Sequence, residues 1–434
     1  MRGKAVTGCT ITQKILAAHA VGGTAEAGQI VTIRPDVVLL NDVSGPLAFE
    51  QFDAMGATAP FDPERIVLVA DHFAPAPDVT AAGAIAMTRG FAARHGIRHF
   101  YEPGRGGIEH TLLAELGMVG HGGIVFGADS HTCTAGAFNA LGIGFGSTDL
   151  AAALAMGQLW MRVPESIRVE LSGVPGAYVT GKDVILELIR RIGSDGAADA
   201  ALEFGGPGLA ALPVDARMAI ANMAVEAGAD TCVFEGDALS AADMAARGMA
   251  PVAAVAADAG ATYRAGIAID LGALQPMVAR PPSPASGVPV TALRGQRVDQ
   301  VYVGNCSNGT MTDLRQVAEI LRGRQVAPGV RMIVVPATQK IWRQALAEGL
   351  LEVFAAAGAA VSTPTCGACF GGHMGILAAG ETAIATTNRN YRGRMGHPES
   401  QVFLANAWVA AAAAVAGEIV PPDEIATRFA LEAA

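Results

Sequence analysis

The sequence predicts an α/β protein built of layers with largely parallel sheets, and three observations carry that expectation. Short apolar runs rich in β-branched residues, at 66–69, 124–126, 301–303, 332–335 and 383–385, alternate with helix-like segments and glycine-rich turns. The composition is 51% hydrophobic and 16% charged with 53 glycines, which suits closely packed layers and lacks the polar bias of a disordered chain. A length of 434 residues accommodates two to four domains, each with an apolar core of its own.

Taken in order, the first element opens at Thr10-Ile11-Thr12-Gln13, which reads as a capping box ahead of Ile15, Leu16 and His19 on a helical period. The runs at 66–69 and 124–126 read as strands, each followed at once by polar residues: Asp71-His72 after the first, Asp129-Ser130-His131 after the second. A weak compositional break at 163–176 precedes a helical pattern at 182–192. A stronger one, Arg280-Pro281-Pro282-Ser283-Pro284-Ala285-Ser286-Gly287, has the proline and serine content of a linker. These breaks divide the chain into expected domains at 1–165, 166–287 and 288–434. In the last of them Cys306 follows the strand at 301–303, Cys366 follows Val361, and Asn388-Arg389 follow Ile384. Ligands of open parallel sheets bind beyond the carboxyl ends of the strands, so five such coincidences point to one shared cleft. The longest apolar run, 407–417, reads as a core helix, being too short to span a bilayer.

Several function classes are excluded. The net charge is −10 and no basic stretch forms a phosphate-binding stripe, so no nucleic-acid partner is expected. Arg2 and Lys4 precede Cys9 without an apolar segment of signal-peptide length, which predicts a cytoplasmic protein with no membrane attachment. Six cysteines in such a chain make no disulfide framework; clustered thiols in a reducing compartment ligate metal or do chemistry.

Cys366-Gly367-Ala368-Cys369 is a C-x-x-C pair, with Cys306 sixty residues upstream. Structural zinc and thioredoxin-like pairs share that spacing. Structural zinc takes four protein ligands, however, and a thioredoxin-like pair opens a helix in a small βαβ domain, whereas Pro364 and a glycine-rich tail surround this one. Three thiolates suit a cubane cluster with one iron left open to bind a substrate hydroxyl and carboxylate. Cys9, Cys133 and Cys232 read as ordinary buried residues.

The segment from Pro364 through Cys366, Cys369 and His373 to Gly375, followed by Thr387-Asn388-Arg389-Asn390-Tyr391-Arg392-Gly393-Arg394, resembles the signature of the aconitase superfamily. More narrowly it resembles the large subunits of 3-isopropylmalate dehydratase and homoaconitase, in their shorter archaeal type. Further matches at Asp129-Ser130-His131, Gly181-Lys182-Asp183, Ala201-Leu202-Glu203-Phe204 and Ala221-Asn222-Met223-Ala224 extend it from Thr10 to Glu418. The resemblance implies a three-domain α/β/α fold with one [4Fe-4S] cluster per subunit in the central cleft, held by Cys306, Cys366 and Cys369. It implies a hydro-lyase acting on a small 2-hydroxy di- or tricarboxylic acid, 3-isopropylmalate of leucine biosynthesis foremost; homocitrate, 2,3-dimethylmalate and citramalate or maleate are the alternatives.

The resemblance also pairs Asp71 with His72, Asp129 with His110, and Glu203 with His131, and makes His72 the acid that protonates the leaving hydroxyl. Ser130, Arg389 and Arg394 bind substrate carboxylates, Asn388 lies against the cluster, and Asn41 with Asp42 form a polar pair contacting substrate. A guanidinium fork matches a carboxylate better than an ammonium does, which favours the two arginines on chemistry alone; Asp129 and Ser130 also read as plain helix caps. Where the family commonly has arginine after the first cluster cysteine, as C-T-N-G-R, this chain has Thr310. Two readings of another class are a cluster-free regulatory protein and a zinc-held scaffold. The chain ends soon after the cluster domain's resemblance does, so the swivelling fourth domain with its catalytic serine is expected on a separate small subunit of on the order of 150 to 200 residues.

Overall fold

The computed structural model describes residues 8–425, which form three large sheets and one two-stranded ribbon. The first helix, Ile11–His19, starts as its capping box dictates: Gln13 N donates to Thr10 Oγ1, and Thr10 N donates to Gln13 Oε1. Its residues Ile11, Ile15 and Leu16 are fully buried.

The first sheet has five parallel strands in the order His99–Tyr101, Ile66–Val69, Val37–Asn41, Ile124–Gly127, Leu141–Gly144. Its central strands are buried along their whole length, as strands covered on both faces must be. The helices Gly45–Ala54 and Val79–His95 pack through stacked Phe49 and Phe91 rings, 3.9 Å apart.

A second parallel sheet runs Thr231–Phe234, Ala200–Gly205, Glu165–Ser172, Ala265–Asp270. Against it lies the helix Gly181–Ile192, opened by a Thr180/Asp183 capping box.

The third sheet has seven strands: Gly287–Pro289, Met277–Ala279, Gln401–Ala405, Thr382–Ala385, Gln300–Val303, Arg331–Val334 and Ala360–Val361. The last five are parallel and the first two antiparallel. This corrects the linker reading of 280–287. Met277–Ala279 and Gly287–Pro289 pair as a hairpin on the sheet edge, and the proline-rich stretch is its turn, so the boundary at 287/288 would cut one sheet in two. Prolines are tolerated there because an edge hairpin needs few of their missing N–H groups. The alanine-rich helix Ala407–Ala416 is a core helix as expected, with Ala410 to Ala414 fully buried.

The carboxyl ends of the first and third sheets meet. Cys366 N and Thr365 Oγ1 both donate to Asp71 O, and Ile108 N donates to Ala337 O. No helix among the described residues is long and apolar enough to cross a membrane.

Candidate active site

The junction encloses a small cleft. The first sheet's side contributes His72, Glu109, His110, Asp129 and His131 to its lining; the third sheet's side contributes the three cysteines, Asn388 and Arg394.

The cysteine wall is built on close backbone approach. Gly304 has φ +109°, and a Cβ there would lie 1.9 Å from Val335 O, so only glycine lets the strand end turn toward Cys306. Cys306, Cys366 and Cys369 are 6%, 5% and 1% exposed, and all three are free thiols. Asn388 Nδ2 lies 3.1 Å from Cys306 Sγ, and its Oδ1 lies 3.4 Å from Cys369 Sγ. Behind them Lys182 is fully buried and donates to Thr386 O, Thr387 O and Ser307 Oγ. Burial pulls its pKa down to about 8, with the neighbouring Asp313, Cys306 and Cys369 pulling the other way. Of the other cysteines, Cys9 is exposed, against the sequence reading, and the two buried ones differ from the cleft thiols. Cys133 and Cys232 donate to main-chain carbonyls, and burial pushes the Cys133 thiol up to about 12, as befits inert core residues.

The opposite wall is a chain of carboxylate–imidazole pairs. His72 Nδ1 sits 2.7 Å from Asp71 Oδ1, while Asp71 Oδ2 accepts from Glu109 N. Burial would lower the His72 pKa, but the charge and hydrogen bond of Asp71 hold it well above the usual histidine value. Asp129 caps the turn Ser130–Phe138 by accepting from His131 N, and the same oxygen receives His110 Nε2 at 3.0 Å and His131 Nδ1 at 3.2 Å. The cap and the site roles therefore coexist in one side chain. Burial opposes ionisation of Asp129, yet its hydrogen bonds to His110 and His131 hold it well below the carboxylate range.

One expected pairing is corrected. His131 Nε2 lies 3.0 Å from Glu226 Oε1, not from Glu203. Glu203 is buried elsewhere, accepting from Ile11 N, Thr12 N, Ser166 Oγ and Tyr263 OH, where it ties the first helix to the second sheet. With carboxylates at both ring nitrogens His131 is held above its ordinary pKa despite burial. Glu226 went unread although it stands four residues after Asn222, inside a motif-bearing segment; no periodicity marks its short turn, Ala224–Ala227. Asn222 itself accepts from Asn388 Nδ2 at 3.0 Å.

Asn41 and Asp42 are also placed otherwise than expected. Asp42 accepts from the backbone N–H groups of Asp71, His72 and Phe73, and Asn41 Oδ1 holds Val43 N, Ser44 N and Ser44 Oγ. They shape the loops and are absent from the cleft lining. Arg389 donates to Glu226 Oε1 at 2.6 Å and to Ser130 Oγ at 2.9 Å, and Arg389 and Ser130 likewise lie outside the cleft lining. Arg394 lines the cleft, with its buried Nε unpartnered among the described residues.

Residues 13–417 match the aconitase family (aconitate hydratase). The chain belongs to the aconitase family. Within it, the chain is 53% identical over 419 residues to "3-isopropylmalate dehydratase large subunit 2" of Rubrobacter xylanophilus, covering 96% of this chain and 99% of that one. It is 51% identical to the 3-isopropylmalate dehydratase large subunit of Nitratidesulfovibrio vulgaris strain Miyazaki F and 50% identical to that of Moorella thermoacetica, each over 96% and 99% of the two chains. Aconitase X of Thermococcus kodakaraensis, in its holo-form crystal structure, is a looser likeness: TM-score 0.48 and 11% identity over 82% of this chain and 84% of that chain.

Membership of the aconitase family implies an iron–sulfur cluster, and the donor set fits one. Three buried thiols face one cavity, and amide and ammonium donors surround them, which suits an anionic sulfur-ligated group. Thr310 caps the helix Met311–Leu321 in a capping box with Asp313.

Proposed function

We propose that this chain is the large, cluster-binding subunit of a 3-isopropylmalate dehydratase, a hydro-lyase of leucine biosynthesis. The observation that carries the proposal is the cleft itself: three buried thiols on one wall, a hydrogen-bonded Asp71–His72 pair at the other, and Arg394 in its lining. The relatives' names support the substrate, and the words "large subunit" in those names support a small-subunit partner. On this reading the small subunit brings the swivelling domain and the base that removes the carbon-bound proton. The chain itself forms three α/β domains, one around each large sheet, with the third beginning ahead of Met277. It works in the cytoplasm, where thiols stay reduced.

Cys306, Cys366 and Cys369 would hold one [4Fe-4S] cluster per subunit, which supplies a Lewis-acid site for the substrate's hydroxyl and carboxylate. The chain's own residues do the rest. Arg394 offers its unpartnered Nε to a substrate carboxylate, and Arg389 with Ser130 offers a second polar contact. Protonated His72 gives its Nε2 proton to the departing hydroxyl, and Asp71 fixes the ring by accepting from Nδ1. Asp129 and Glu226 orient His110 and His131 in the same way. Asn388 bridges the thiols of Cys306 and Cys369.

The test is an anaerobic assay of the reconstituted chain with its small subunit against 3-isopropylmalate, homocitrate, 2,3-dimethylmalate and citramalate, following the alkene product. The proposal expects 3-isopropylmalate to have the highest kcat/KM. Preference for another of these acids would move the substrate assignment, and no turnover of any would reject the dehydratase reading.

A further inference from the structure

Glu109, immediately before His110, is 1% exposed and lines the cleft. One of its oxygens, Oε1, accepts a hydrogen bond from Asn41 Nδ2 at 2.9 Å. That direction is fixed, because Asn41 Oδ1 already accepts from Val43 N, Ser44 N and Ser44 Oγ, so the end facing Glu109 must be the amide NH2. The other oxygen, Oε2, is equally buried and has no hydrogen-bond partner among the described residues.

The surroundings disfavour a charge on this carboxyl. One ligand atom each of Glu109, His72 and Asp129 lies within 4.8 Å of the others, and Asp71 Oδ2 accepts from Glu109 N. The groups facing it are Asp71 and His72 from one loop, Asp129 and His131 from another, and His110 on its own helix, whose Nε2 is 3.8 Å from Oε1; Arg394 and the three cysteines lie across the cleft. Burial first, then repulsion from Asp71 and Asp129, pushes the Glu109 pKa well above the carboxylate range, against the pull of His72 and Asn41.

We propose that Glu109 is a further substrate-binding residue, a neutral carboxylic acid whose Oε2–H donates a hydrogen bond to a carboxylate of the bound diacid. With Oε1 occupied as acceptor by Asn41, the proton belongs on Oε2, the oxygen no protein donor reaches. An ionised glutamate there would repel a dianion; the neutral acid turns the same side chain into a donor. The inference rests on the dehydratase reading.

The experiment measures KM and kcat for 3-isopropylmalate from neutral to alkaline pH in the reconstituted complex, for wild type, Glu109→Ala and Glu109→Gln. A hydrogen bond to a charged group predicts that Glu109→Ala raises KM roughly tenfold or more, with a smaller change in kcat. Glutamine carries an N–H donor and no charge, so Glu109→Gln should recover most of that loss. It should also lose the rise in KM that the wild type shows as Glu109 ionises. Infrared difference spectra of the wild type should contain the carbonyl band of a protonated carboxyl that Glu109→Gln removes, a readout available even if the alanine variant fails to fold. Wild-type turnover with an unchanged KM in Glu109→Ala, a glutamine variant as impaired as alanine, or absence of that infrared band would overturn this inference alone. Absence of turnover by the wild type would overturn it together with the dehydratase reading.

Discussion

His72 stands under two opposing influences. Its burial favours neutral imidazole, while Asp71 at 2.7 Å, with Asp129 nearby, favours imidazolium and prevails. On the proposed reading, a raised pKa keeps His72 loaded as the proton donor at neutral pH, and activity is lost as pH rises through that value. Asp71→Asn removes the largest raising charge, so the alkaline limb of kcat should move to lower pH by about one unit or more. An unmoved limb in the pH–rate profile would assign the proton donation to another group. Arg394→Lys keeps a charge and loses the planar fork, so KM should rise by about tenfold while the visible cluster spectrum stays as in the wild type. Serine at Cys306, Cys366 or Cys369 should abolish both colour and turnover, because three ligands leave no spare. Serine at Cys133 or Cys232 should preserve the colour, since those thiols only donate to backbone carbonyls.

At the scale of elements, Glu226 takes the place beside His131 that the sequence resemblance gives to Glu203. Glu203 lies within a fully buried strand and satisfies four donors around the first helix. Glu203→Ala should therefore cost about 3 kcal/mol or more in urea unfolding, whereas Glu226→Gln should lower turnover with a smaller loss of stability. Equal loss of turnover at matched folded fractions would return Glu203 to the site. Glu203 stands in a quoted motif, whereas Glu226 lies two residues beyond one and carries no sequence signal of its own. What separates them is the packing of the turn Ala224–Ala227 against Ser130–Phe138, a contact between short elements that no periodicity announces. Where local chemistry decides, the sequence was legible: Thr10 and Gln13 cap the first helix, and the runs at 66–69 and 124–126 are strands ending in site residues. Where composition has two meanings it was not, as with the proline-rich stretch at 280–287, whose residues serve a hairpin turn as readily as a linker.

Across the whole molecule, the site lies where the parallel strands of two sheets bring their carboxyl ends together, one supplying carboxylate–imidazole pairs and the other thiols. That division was visible in the sequence as polar motifs recurring just after apolar runs. Asn41 and Asp42 obey the same rule yet serve the loops, because a strand end needs its N–H groups satisfied before it can present a site. On the proposed reading, the chain's own wall contains a proton donor and carboxylate-binding groups, and the small subunit supplies the base. The most direct measurement is turnover of 3-isopropylmalate by the anaerobically reconstituted chain, with and without that small subunit. The account predicts an iron–sulfur spectrum in both samples and alkene formation only when the subunits are combined; full turnover by the isolated chain, or a colourless combined complex that is still active, would contradict it.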